Sequence, residues 1–229
     1  MKSLYHGLRL ASFLCFATSA VAQQNNPLQI IPLKPDVTAA PKTPGNNSFD
    51  FDIASVVTRA NSALNSMNTL SADFVQSNSF GQHATGRLFL LKPGRLRFEY
   101  AAPSTLEIIA DGTSVAIRNK RLNTQDVYFI RQTPLKFLLK PSINLAQDVK
   151  VMGVTFDAEH TIVKVEDKST FGGASKIELF FRSSDFLLSQ WIITDPQGGE
   201  TKVKLSNLDQ SKRLDRSLFV ISFDRPENQ

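Results

Sequence analysis

The sequence predicts a mainly β protein, a large curled antiparallel sheet of about eleven or twelve strands covered by helices. Three observations predict it. From residue 72 to 223 apolar residues mostly recur at every second position, in short runs. The links between runs are short and carry Gly, Pro or Asp, which suits antiparallel neighbours because parallel strands need a long crossover. The period shifts towards helix only in one amphipathic stretch before the strands and one apolar insert among them.

Of the 229 residues, the first 22 read as a secretory signal: Lys2 and Arg9 precede a short apolar run, and Ala20-Val21-Ala22 fits a small-x-small cleavage rule. That run is too short to span a bilayer. The single cysteine, Cys15, falls inside the signal, so an exported chain from residue 23 carries no disulfide and rests on its core alone. Residues 23–48 form a linker with five of the eleven prolines, at positions 27, 32, 35, 41 and 44, and no aromatic residue. The folded domain is expected over residues 49–229.

Its first element is helical. Ile53, Val56, Val57, Ala60, Leu64 and Met67 make one apolar stripe, and Asp50 and Asp52 suit a helix N-terminus. The pattern in residues 49–70 predicts a helix of about five turns. Strands are expected at 72–79, 84–91, 95–101, 105–110, 114–119, 125–131, 151–157, 161–167, 175–183, 187–194, 200–208 and 218–223, in a single meander. Lys92-Pro93-Gly94, Asp111-Gly112 and Asp195-Pro196-Gln197-Gly198-Gly199 supply turns. The stretch GRLFLLKPGRLRFEYAAP (86–103) is unusual: Leu88 to Leu91 are apolar on both faces, whereas Arg95, Arg97 and Glu99 alternate with Leu96, Phe98 and Tyr100. The insert at 133–149 has Pro134 at its start and Pro141 as a break. Insert and helix both need an apolar partner, which only the inner face of the sheet offers.

Composition narrows function. The formal charge of +5 falls to about +3 without the signal, with signs interspersed, so nucleic acid is not an expected partner. His83 and His160 lie far apart beside turns, and no zinc-protease or nucleophile-elbow motif occurs, so no catalytic residue, metal or cofactor is expected. Apolar aromatic surface is abundant, with 17 phenylalanines against three tyrosines and one tryptophan. A wide curled sheet with a helical cover encloses room for an apolar ligand.

Five stretches, SADFVQ (71–76), GRLFLLKPGRLRFEYAAP (86–103), IIADGTSVAI (108–117), TPLKFLL (133–139) and DRSLFVISFDRP (215–226), together resemble the successive motifs of the LolA family of periplasmic lipoprotein carriers. The resemblance covers about residues 49 to 226. It implies an unclosed β-barrel of about 11 strands with helices as a lid, acting as a periplasmic monomer. It also implies that acylated lipoproteins are taken from an inner-membrane ABC transporter and handed to an outer-membrane receptor or to the outer membrane itself. Lys92 matches an arginine that holds the lid's backbone carbonyls in that family; lysine keeps the charge and loses the planar fork, and Arg95 or Arg97 could share the task. Leu64, Leu96 and Phe98 match cargo-binding positions, and Leu135 and Leu138 match the lid helix. Phe89 and Tyr100 complete the expected acyl-chain cavity. Lys136 departs from an apolar position and is expected in solvent. An acyl-lipid or lipoprotein-sensing domain on the same scaffold stands as the alternative.

Overall fold

Asp52 caps the first helix: its carboxylate accepts a hydrogen bond from the Ala54 amide at 3.1 Å. The fold is that of a computed structural model describing residues 52–134, 136–170 and 172–223. The expected signal, the linker, Asp50 and Leu135 lie outside those residues. Helix α1 (Ile53–Ser66) buries Val56, Val57, Ala60 and Leu64 of the expected stripe, while Ile53 at its first position is exposed. With 14 residues it makes about four turns rather than five. Met67 is buried beyond its end, and Leu70 already belongs to the first strand.

Eleven strands follow: β1 (Thr69–Asn78), β2 (His83–Leu91), β3 (Arg95–Tyr100), β4 (Leu106–Asp111), β5 (Ser114–Asn119), β6 (Thr124–Phe129), β7 (Lys150–Phe156), β8 (His160–Asp167), β9 (Ser175–Arg182), β10 (Leu188–Thr194) and β11 (Glu200–Asp209). All pairings are antiparallel. The expected single meander is instead two. The sheet order β6-β5-β4-β3-β2-β1-β11-β10-β9-β8-β7 joins β1–β6 to β7–β11 through the β1–β11 pair. Strands β6 and β7, consecutive in the chain, are therefore the two free edges, and the sheet does not close. Between them run a 3-10 turn (Ile130–Gln132) and two one-turn helices, α2 (Lys136–Leu139) and α3 (Leu145–Asp148).

Residue 218–223 alternation does not make a twelfth strand. Arg216–Phe219 form a 3-10 turn, and residues 220–223 lie outside the sheet. This tail answers the two-faced apolar run in β2. Leu88 and Leu90 point into the main core with the helices, while Phe89 packs outward with Leu214 and Phe219, with Leu91 and Leu218 at its margin. Successive strand side chains face opposite ways, so Phe89 cannot share a face with its neighbours. Its expected place in the cavity is thus corrected: it anchors the tail to the outer face. Ile109 and Ala116 hold Ile221 there in the same way.

One glycine matters to the inner face. Gly86 pairs with Phe74 on β1 and Tyr100 on β3, and a Cβ at Gly86 would meet the Phe74 ring at 2.8 Å and the Glu99 carbonyl oxygen at 2.1 Å. Its missing side chain lets the Phe74 ring settle between strands. Phe74 then meets Tyr100 and Phe98 edge-on, each with ring centroids 5.1 Å away.

Candidate functional site

The inner face carries its aromatic residues towards one cavity. Phe98 and Tyr100 alternate inward along β3, Ile108 lies beside Phe98 on β4, and Trp191 and Val203 come from β10 and β11. Trp191 stands edge-on to Phe98 at 6.5 Å and to Phe137 of α2 at 6.3 Å, so the wall continues into the lid. Thr133 and Pro134, just before α2, line the cavity from above. Its volume is about 80 Å³. An engineered cavity of about 150 Å³ is what accommodates a benzene ring, so this space is too small for an acyl chain unless the lid moves.

The lid is fastened from several sides. Lys92, at the turn between β2 and β3, donates through Nζ to the Leu64 carbonyl oxygen at 2.5 Å, near the C-terminal end of α1. That end is the negative pole of the helix dipole and favours a cation. Burial acts against the charge and lowers the Lys92 ammonium from 10.5 to about 8. The same turn also holds the chain after α1 and the end of α2: the Lys92 amide donates to Asn68 O at 2.8 Å and the Gly94 amide to Leu139 O at 2.9 Å. A single turn therefore grips both parts of the cover.

Two asparagines one helical turn apart tie α1 to the insert. Asn65 donates to Ile143 O at 2.9 Å and accepts from Ile143 N at 2.8 Å, while Asn61 accepts from Leu145 N at 2.9 Å. Lys136 of α2 is not in solvent as expected. Its Nζ lies 2.9 Å from Oδ1 and 2.8 Å from Oδ2 of the buried Asp167 at the end of β8, and also meets Ser169 Oγ. A long aliphatic stem lets this lysine cover apolar surface while its head finds the carboxylate.

Of the residues expected from the sequence, Phe98 and Tyr100 line the cavity. Leu64, Leu96 and Leu138 are fully buried in the core shared by helices and sheet and do not line the cavity. Arg95 and Arg97 face outward. Arg97 donates to Leu218 O at 3.1 Å and to Glu107 at 2.6 Å, so it holds the tail and not the lid. Sequence reasoning missed Gln76, Trp191 and the two lid asparagines. Gln76 had a readable signal, since it falls in step with Leu70, Ala72 and Phe74 at a position where the strand otherwise buries apolar groups.

The chain is similar to several known proteins. The family model described as "Outer membrane lipoprotein carrier protein LolA" matches residues 65–222. A Leptothrix cholodnii protein named outer-membrane lipoprotein carrier protein is 26% identical over 59% of this chain and 64% of its own length, so the match spans less than two thirds of that relative. A Chromobacterium violaceum protein of the same name is 25% identical over 74% of this chain and 84% of its own. Among solved structures, a LolA superfamily protein from Nitrosomonas europaea aligns over 74% of this chain and 97% of its own, at 10% identity and a TM-score of 0.44.

Proposed function

Since the chain belongs to the LolA family, we propose that it is a periplasmic carrier that shelters the acyl chains of mature lipoproteins in its lidded cavity. On this reading residues 1–22 direct export and 23–48 are a spacer to the carrier domain. Lipoproteins arrive from an inner-membrane ABC transporter and leave to an outer-membrane receptor or to the outer membrane. The protein is a binding protein rather than an enzyme, and it works as a monomer.

The observation that carries the reading is the apolar aromatic cavity roofed by helices that Lys92 holds through a backbone carbonyl. An acyl chain in water forfeits about 0.8 kcal/mol per CH₂, or roughly 10 kcal/mol for one long chain, so an acylated protein needs a host to cross an aqueous space. A host that bound with all of that energy would not release. A lid whose closure shrinks the cavity competes with the cargo, and this lowers the net affinity to a level from which transfer is possible. Leu64, Leu96 and Leu138, packed where the cover meets the sheet, become cargo-facing when the cover lifts, and Leu135 is assigned to the same lid.

The test is depletion in the living cell, followed by fractionation of the two membranes. Lipoproteins destined for the outer membrane should accumulate in the inner membrane. An unchanged distribution would remove the carrier function. If the purified protein binds acylated proteins yet passes none to outer membranes, it is a sensing domain on this scaffold instead.

A further inference from the structure

Gln76 is one of two amide side chains lining the cavity, the other being Gln132 ahead of α2, and it is the one set among the strand aromatics. It is only 5% exposed, and it lines the cavity beside Phe98, Tyr100 and Trp191. Its Oε1 accepts the Tyr100 hydroxyl proton at 2.7 Å. With Oε1 turned to the phenol, the free end is the NH₂ group. That NH₂ has no hydrogen-bond partner among the described residues, nor is it sealed from the cavity space. The oxygen end is needed to satisfy the buried Tyr100 hydroxyl, and the NH₂ end is left facing the cavity with no protein acceptor among the described residues.

Position gives the amide a use. Gln76 also borders a second space, a groove of about 500 Å³ of mixed character and more polar than the first, where Ser77, Asn78, Thr105 and Asn119 stand beside Ala84, Pro103 and Leu106. It therefore stands where a nearly all-apolar chamber gives way to one richer in polar groups. A lipid tail changes character at the same kind of boundary, where its methylenes end in a carbonyl joined to the headgroup. A carbonyl oxygen is an acceptor, and the open end of Gln76 is a donor.

We propose that Gln76, oriented by Tyr100, is the subsite that recognises the acyl carbonyl of the cargo. The amide NH₂ donates to that oxygen, the chain beyond it lies among Phe98, Tyr100 and Trp191, and the headgroup leaves through the more polar groove. This rests on the carrier reading and adds to it a preference for acyl over alkyl lipids.

The experiment uses the lone tryptophan, Trp191, as reporter in the purified protein. Its emission is titrated with dioctanoylglycerol, which has ester carbonyls, and with the matching ether dioctylglycerol, which has none. One net hydrogen bond corresponds to an ester preference of about fivefold. Gln76→Met should bring the ester-to-ether affinity ratio down by that factor while ether binding persists. Gln76→Met combined with Tyr100→Phe removes both partners of the pair, so it should melt near the wild type and show the same lost ratio even if the single variant folds poorly. A ratio unchanged by either variant, or an equal loss for both lipids, overturns the subsite and leaves Gln76 a wall residue. Failure of the wild type to bind either lipid overturns the carrier reading itself.

Discussion

Lys92 Nζ and the Leu64 carbonyl oxygen meet at 2.5 Å across 28 positions of sequence, and this bond joins the sheet to the last turn of the covering helix. It is a bond between a side chain and a backbone atom. Substituting Leu64 leaves the acceptor in place, whereas substituting Lys92 deletes the donor. The two residues thus separate latch from packing: Leu64→Ala should lower stability by about 2–5 kcal/mol through the cavity it leaves, and Lys92 variants should act on the cover.

Lys92→Ala removes one of the restraints on closure and favours the open form. Binding of an environment-sensitive apolar dye should rise several-fold, and a bound acyl probe should leave more slowly, because the closed lid competes less well. Unchanged dye binding would show that the backbone bonds from Lys92 and Gly94 hold the cover without the side chain.

The Lys92–Leu64 bond should also respond to pH, with a definite sign. With the lid closed the ammonium titrates near 8, and exposure to water in the open form returns it towards 10.5. Between those values the open form holds more protons, so raising the pH through that window favours closure. Below pH 8 both forms are charged and this group contributes no dependence. Dye binding should therefore fall between pH 7.5 and 10 in the wild type, in line with the lowered value of about 8. Lys92→Arg, which stays charged throughout, should abolish that fall.

Asn61 and Asn65 predict that α1 and the insert move together. Asn65→Ala strips both bonds to Ile143 and leaves a partly buried amide without an acceptor, a loss of about 1–3 kcal/mol. Hydrogen exchange at Ile143 and Leu145 should accelerate while the strands stay protected. Equal acceleration across the sheet would mean that cover and sheet open as one cooperative unit.

Lys136 and Asp167 form the second anchorage of the cover. Asp167→Asn leaves a mostly buried lysine without its counter-charge and should lower the melting temperature clearly, with a loss of about 3 kcal/mol. Adding Lys136→Met to that variant should recover part of the loss, since removing both members of a buried pair is milder than removing one. A double variant as unstable as the sum of the singles would show that the two do not interact.

Most of the strands could be read from period two because a half-buried strand imposes it locally. The β1–β11 pair could not, since nothing local tells Phe74 that it lies opposite Leu205. The alternation in 218–223 misled for a related reason. Leu218, Phe219 and Ile221 do cover apolar surface, but as a strap on the outside of an existing sheet. For Phe89 the sequence said that both faces of β2 are buried without saying by what. Lys136 looked solvated because its partner lies 31 residues away, on the end of β8. Phe98 and Tyr100 were legible, since alternation alone set them opposite Arg97 and Glu99.

The placement of β6 and β7 at the two free edges has a mechanical meaning. Residues 130–149 run from one edge strand to the other, as a string runs between the tips of a bow. A lift of that string would let the tips spread or draw together. Width of the trough and height of its roof are then one coordinate, and a single pull at any point along that cord would reshape the whole chamber.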